Sequence, residues 1–474
     1  MTTVAVVGGG VSGLTAAYRL RKLLGDHAKI TVFESTDALG GKLRTVDLAG
    51  TRFDVGAEAF LARRPEATAL VREIGLGDRL THPTKARAKI HAGGSVLGLP
   101  TGTVMGVPAS ADAVAGVLSE AGARAVAAER ALPPLALPAS DVPLGVLLRE
   151  RFGDELVDKL VDPLLGGVYA GGADGLGLRA TMPGLASALA AGAGSLTAAA
   201  ASLLPASPSS APVFGTLLGG LGTLVSRLAE LARADIRLGV PVRSLNRKPG
   251  SGWRLELGAA APAHAAADPA DRIADVDAVV LAVPAPAARR LLEDAAPDAS
   301  KAFGQVELAS MAVVALALPP GTAVPDISGV LIGVTERRPD GKPFASKAFT
   351  LSARKWTHYA DGPLLVRGSV GRFGEPGALH AGDDELVRVV RDDLAELTGV
   401  TAEPVEILVT RWGGGLPQYG VGHLDRIARI ERSVAEVPGL EIAGAALHGV
   451  GIPACIGTAD AAARRLVAHG VRPR

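Results

Sequence analysis

The chain has 474 residues, enough for two or three domains, and 49 Lys and Arg against 48 Asp and Glu leave a formal charge of +1. That balance gives no electrostatic footprint for nucleic acid. One Cys and 3% aromatic residues exclude disulfide scaffolds, multi-cysteine metal or iron–sulfur sites and large aromatic binding surfaces, so no metal is expected.

The apolar run Thr3–Val7 predicts a short strand, Gly8–Gly13 a glycine turn, Leu14–Leu24 a helix and Lys29–Phe33 a second strand, which together make one β–α–β unit. No basic segment or cleavage site precedes the first strand, so a cytoplasmic protein is expected. The lone Cys455 fits a reducing compartment. Residues 100–206 show Ala- and Leu-rich helical patterns broken by Pro and Gly. Within them Leu185–Leu204 runs twenty residues without a charge, about the length of a bilayer span. It is mostly Ala, Gly, Ser and Thr, so a buried or surface-lying helical segment is expected, with at most peripheral membrane contact. Pro205–Pro212 reads as a linker or exposed loop. Gly222–Ala232 reads as a helix, and short strands are expected around Ile236–Arg243 and at Trp253–Leu257. Asp277–Val283 is a buried strand candidate ending at Pro284. Residues 285–404 mix helices with strand candidates at Met311–Leu318 and Leu364–Val370. The chain closes with a strand at Leu440–Ile442, a glycine turn and a helix over Gly457–Ala468.

The turn Gly8-Gly9-Gly10-Val11-Ser12-Gly13, followed by Leu14, has the GxGxxG form. Its glycines serve a tight turn, close backbone approach to a pyrophosphate, and close packing of helix on strand. The helix N-terminus adds backbone N–H groups and a positive dipole end for the diphosphate. Glu34, just before Ser35, closes the second strand 21 residues after Gly13, where a carboxylate accepts from ribose hydroxyls and repels a 2′-phosphate. This favours FAD or NAD over NADP. A second glycine pair follows in Leu39–Thr45, with Gly41 and Lys42 placed for another backbone approach. Taken alone the pair is a turn. At this spacing it resembles the second diphosphate contact of the glutathione-reductase-type flavoproteins, in the branch of the amine oxidases and porphyrinogen oxidases, and so points to FAD. Gly444–Pro453 then leads into the last helix, and Val450, Gly451 and Ile452 at its start would face the flavin pyrimidine. The same resemblance gives Val242 the backbone contact at the adenine end.

Further segments are more restrictive: Asp54–Phe60, Asp162–Gly171 with its Gly-Gly-Val-Tyr-Ala-Gly run, Leu178–Pro183, Leu416–His423 and Gly449–Pro453. Together they resemble the oxygen-dependent porphyrinogen oxidases, and most of all the coproporphyrinogen III oxidases of Gram-positive bacteria, along essentially the whole chain. The resemblance implies oxidation of a porphyrinogen to a porphyrin by six electrons in three flavin cycles, with oxygen reduced to hydrogen peroxide, in haem biosynthesis. It implies an α/β fold with α+β insertions. A glutathione-reductase-type FAD-binding Rossmann domain would take residues 1–82, 207–284 and 405–474. A substrate-binding domain would take 83–99 and 285–404, and an α-helical domain 100–206. Gly56, Ala57, Glu58, Ala59 and Trp412 are expected beside the flavin, and the Gly167 carbonyl is expected to face the macrocycle. Arg63 and Arg64 are candidates for gripping propionates, since guanidinium holds a carboxylate with two parallel hydrogen bonds. No side chain is expected to act as a catalytic acid or base, because the flavin carries the redox step. His423, His448, Tyr169 and Tyr419 read as structural. A transient contact with a ferrochelatase is a further implication.

One stretch departs from the family pattern: Gly172-Ala173-Asp174 follows Gly171, and Gly177 precedes Leu178, which leaves the substrate-side contacts open. Three alternatives also stand. They are protoporphyrinogen IX oxidation, amine oxidation, which the shortage of Tyr and Trp disfavours, and a non-catalytic protein of the same fold.

Overall fold

The structure is a computed structural model and describes residues 1–206, 211–258 and 272–470. Residues 207–210 of the predicted Pro205–Pro212 loop lie outside the described residues. β1 (Thr3–Val7) is a run of Val and Ala buried along almost its whole length, so it occupies the middle of a sheet. It leads through the glycine turn into α1 (Val11–Leu24) and then β2 (Lys29–Phe33). Among the described residues this sheet has five parallel strands, in the order Asp235–Arg237, β2, β1, Ala278–Leu281, Leu440–Ile442. Its strands come from three well-separated stretches of chain. On one face α1 packs against Gly222–Ala232 and the closing helix Ile452–Ala468. On the other lie the antiparallel strands Val242–Arg247, Trp253–Leu257 and Ile273–Val276, with helices Ala285–Leu291, Pro297–Phe303 and His423–Ala435.

A seven-stranded mixed sheet runs Glu406–Pro417, Leu308–Leu318, Leu364–Val370, Ser346–Leu351, Gly329–Ile332, Ala88–Ala92, Ser95–Gly98. Helix Asp383–Thr398 covers one face of it through Leu386, Val390 and Leu394. A helical layer with its own core, built on Leu144–Phe152, Asp162–Tyr169, Pro183–Ala190 and Leu196–Leu203, packs against the Ala88–Ala92 end of this sheet. A parallel α/β sheet with an inserted mixed sheet and a helical part is the architecture expected.

Three local features differ from the sequence reading. Leu185–Leu204 is two short helices that pack on each other, because Gly192 and Gly194 turn the chain at φ +92° and +72°. Among the described residues no helix is long and apolar enough to cross a membrane. The closing helix begins at Ile452 and not at Gly457, since Pro453 lies in its first turn, where a missing N–H costs nothing. Glu406–Pro417, with glycines at 413, 414 and 415, is a strand held along Leu308–Leu318 through a register shift between Ala309 and Met311.

Candidate active site

Three glycine-bearing segments meet at the carboxyl edge of the parallel sheet. Gly8, at φ +107°, donates its N–H to the Phe33 carbonyl at 2.8 Å and turns the chain off β1. A Cβ on Gly13 would strike the Gly8 carbonyl, so α1 lies tight on β1 only with glycine there. A Cβ on Gly9 would come within 2.6 Å of the Leu39 side chain. Gly10 differs: a Cβ there meets no protein atom within 4 Å. Packing therefore does not demand glycine at Gly10, and the open space in front of it is a cradle that a side chain would fill. Gly40 donates to the Gly9 carbonyl at 2.8 Å, and a Cβ on Gly41 would lie 3.5 Å from Gly10 Cα, so the second glycine pair forms the cradle's other wall. Val11 is half-buried, while Ser12 and Leu14 turn into the core, which leaves only their backbone for a ligand.

The third segment is the start of Ile452–Ala468. Both this helix and α1 follow strands of one parallel sheet, so their N-termini share one edge. Gly451 is its exposed N-cap and has no side-chain capping bond, Val450 is half-buried, and Ile452 is buried. Cys455, one turn on, ties the three segments together. Burial pushes its thiol up, while Ser12 from α1 and Lys42 from the second glycine segment pull it down. Lys42 is open to solvent yet has dense protein around it, as a side chain lining a deep groove does. That burial lowers its ammonium from the usual lysine value.

Glu34 is buried at the end of β2. One carboxylate oxygen accepts from Gly9 N at 2.7 Å, and the other from Thr36 N, Thr36 Oγ1 and Ser35 Oγ, which aims it at the start of α1. Val242 is buried against Val7, Phe33 and Leu281, so it too offers only backbone. Farther along, Ala57 donates to the Lys42 carbonyl at 3.0 Å, and Trp412 Nε1 to the Val55 carbonyl at 3.2 Å. A Cβ on Gly56 would sit 3.2 Å from the Trp412 ring. Lys42, Gly56, Ala57 and Trp412 are thus contiguous, with half-buried Ala59 close by in the chain. The Glu58 side chain is already engaged, accepting from Lys355 Nζ at 2.5 Å and pairing with Arg367 Nη1 at 3.1 Å. Burial opposes its charge, but those two cations outweigh it and hold the carboxyl at about 2. Any ligand contact of Glu58 therefore falls to its main chain.

The helix Asp162–Tyr169 forms the opposite wall. Gly167 is exposed, and Gly166 abuts Arg372. Gly171 is needed because a Cβ there would collide with Gln418, which donates to the Tyr169 carbonyl at 2.7 Å. Tyr169 and Tyr419 stand 5.5 Å apart, Tyr419 stacks on His423 at 3.9 Å, and Tyr419 Oη donates to the Ala445 carbonyl at 2.7 Å. The two most restrictive sequence segments are therefore one side-chain knot tied to the Gly444–Gly451 turn. Burial pushes Tyr169 up to about 12 and His423 down to about 4. His448 is exposed and pairs with Glu431 at 2.7 Å. Arg64 is the exposed N-cap of helix Pro65–Glu73 and shares its guanidinium with Glu66 at 2.6 Å, while Arg63 is exposed nearby. Sequence reading missed Lys347, which is buried, and Arg372, which is half-buried beside Gly166.

The sequence matches the flavin containing amine oxidoreductase family over residues 11–467. The chain belongs to that family. FAD is its cofactor, and the bare cradle at Gly10 and Gly41 fits it. A coproporphyrinogen III oxidase of Mycobacterium tuberculosis (strain ATCC 25618 / H37Rv) is 45% identical over 98% of this chain and 96% of its own length. One from Bacillus subtilis (strain 168) is 31% identical over 97% of this chain and 96% of its own. A solved structure from Exiguobacterium sp. 255-15, provisionally named a protoporphyrinogen oxidase, superposes with a TM-score of 0.84 at 33% identity, covering 98% of both chains.

Proposed function

We propose that this oxidoreductase converts coproporphyrinogen III to coproporphyrin III in haem biosynthesis, with oxygen as acceptor. The observation that carries the reading is the end-to-end similarity, 45% over 98% of the chain, to a relative bearing that name. One porphyrinogen and three molecules of oxygen give one porphyrin and three of hydrogen peroxide. Bound FAD supplies the redox chemistry, taking hydride equivalents from carbon and passing the electrons to oxygen.

The protein's own part is position and exclusion. Gly8, Gly10, Gly13 and Gly41 keep the diphosphate cradle bare, and the α1 N-terminus favours the diphosphate charge. Glu34 accepts from the ribose, and Val242 offers backbone at the adenine end. Lys42, Gly56, Ala57 and Trp412 line the flavin side. The N-terminus of Ile452–Ala468 stabilises negative charge on the pyrimidine through Val450, Gly451 and Ile452. Gly167 leaves room for the macrocycle, and Arg63 and Arg64 meet propionates at the rim. Tyr169 and His423 are buried in the side-chain knot and serve as structural residues, and pyrrole protons leave to water or a backbone carbonyl. We place the reaction in the cytoplasm, with at most peripheral membrane contact and a transient hand-over to a ferrochelatase. A second reading, protoporphyrinogen IX oxidation, is favoured by the name of the Exiguobacterium relative.

The test is turnover of coproporphyrinogen III under air by the flavin-loaded protein, followed by porphyrin fluorescence and peroxide. Three peroxides per porphyrin are expected. Flavin-loaded protein that forms no porphyrin contradicts the proposal.

A further inference from the structure

Two cations stand behind the Gly166–Gly167 wall with no carboxylate bonded to either. Lys347 is 4% exposed, and among the described residues it has no hydrogen-bond or ion-pair partner. It is the extra residue of a β-bulge, because strand Ser346–Leu351 shifts register against Leu364–Val370 between Ser346 and Ala348. A bulge re-aims a side chain out of the sheet's alternation. The next residue, Ala348, pairs with Leu331, and the Leu331 side chain lies 3.8 Å from where Gly167 would carry a Cβ. Helix Asp162–Tyr169 packs on strands Gly329–Ile332 and Ser346–Leu351.

Arg372 comes from the turn after Leu364–Val370. Its Nη2 donates to the Ile332 carbonyl at 3.1 Å, and its Nη1 lies 3.3 Å from the place of a Gly166 Cβ. Glu375 and Asp162 act on Arg372 from a distance, but neither pairs with it, and Asp162 Oδ1 accepts from Ala173 N at 2.6 Å. Burial, reinforced by Arg372, pushes the Lys347 ammonium down to about 7. Burying an unpaired ammonium is unfavourable, and a second cation close by adds to that cost. An anion reaching both would offset that cost, and Gly167 in the neighbouring helix is exposed.

We propose that Lys347 and Arg372 anchor a substrate propionate against the Gly166–Gly167 wall, an assignment that rests on the porphyrinogen reading above. The guanidinium supplies parallel donors for the carboxylate and the ammonium a point charge beside them. The anchor recognises the ionised carboxylate and not the tetrapyrrole ring, so it separates free acids from esters.

The test compares flavin-loaded wild type with Lys347→Met, Lys347→Arg and Arg372→Gln, using flavin absorbance to certify each fold. KM and kcat are measured with coproporphyrinogen III, and Kd by titration with coproporphyrin III and with its tetramethyl ester. Lys347→Met is expected to raise KM and the tetra-acid Kd by about 10- to 100-fold, the loss of a charged hydrogen bond. It should leave kcat within about threefold and ester binding unchanged. Lys347→Arg should recover most of the loss, and Arg372→Gln should repeat it if Lys347→Met fails to load flavin. Tetra-acid binding within about twofold of wild type in both neutral variants, or equal losses for acid and ester, overturns the anchor. Wild type that turns over porphyrinogen while the variants match it overturns the anchor alone. Wild type that neither binds nor oxidises a porphyrinogen overturns the functional reading, and the anchor with it.

Discussion

The two ends of the groove are built by different means. At the cofactor end the contacts are main chain and missing side chains: Gly10 faces open space, Gly13 and Gly8 touch backbone to backbone, and Val242 and Leu14 present no side chain at all. At the substrate end the surface is made by side chains from distant segments, with Gln418 on Tyr169, Tyr419 on His423 and Arg372 on Gly166. A site written in glycines tolerates little beyond hydrogen in a few positions. One written in side chains can be tuned residue by residue. The most damaging substitutions should therefore cluster at the first end and the selective ones at the second.

The sharpest way to break this contrast is Gly10→Glu. It places a carboxylate in the open cradle without disturbing any protein contact, so loss of FAD by at least about 100-fold in affinity is expected, with the fold retained. Flavin absorbance and circular dichroism of the purified variant check it, and retained flavin would refute the cradle. Next comes Glu58→Gln, where the side-chain network meets the cofactor end. It leaves Lys355 and Arg367 without their buried counter-charge and should cost about 3 kcal/mol in urea unfolding. Because the folded carboxyl titrates at about 2, below its ordinary value of 4.5, its stabilisation is full above pH 4.5 and fades as pH falls toward 2. The wild-type and variant stabilities should converge over that window.

These differences also explain what could be read from sequence. The cradle was legible because each glycine answers a local demand, and Glu34 follows at a fixed strand length from Gly13. The knot was visible only as unusual words, Gly-Gly-Val-Tyr-Ala-Gly and Leu-Pro-Gln-Tyr, whose reason for meeting is tertiary. Glu58 was expected beside the flavin, but the cations that occupy its side chain come from Lys355 and Arg367, some three hundred residues away. Lys347 gave no pattern because the bulge that takes it out of the strand's alternation is invisible in composition. The strand Glu406–Pro417 escaped notice because three successive glycines imitate a turn, and only its long pairing with Leu308–Leu318 overrides them.

Two smaller effects sharpen the contrast from the substrate end. His423 is held at about 4, below its ordinary 6.5, so the unfolded chain takes up a proton that the buried ring refuses. Stability should fall as pH drops from 6.5 to 4, and His423→Gln should flatten that slope in urea midpoints taken at pH 7 and pH 4.5. The least effect is expected at the rim. Arg64 is half exposed and already shared with Glu66, so Arg64→Ala should change the substrate KM by less than about threefold.

Substrate preference separates the two porphyrinogen readings most directly. Steady-state kcat/KM for coproporphyrinogen III and protoporphyrinogen IX, measured on one flavin-loaded preparation under air, should favour coproporphyrinogen by about 10-fold or more, as one well-placed carboxylate contact provides. Equal values, or a preference for protoporphyrinogen, would contradict it.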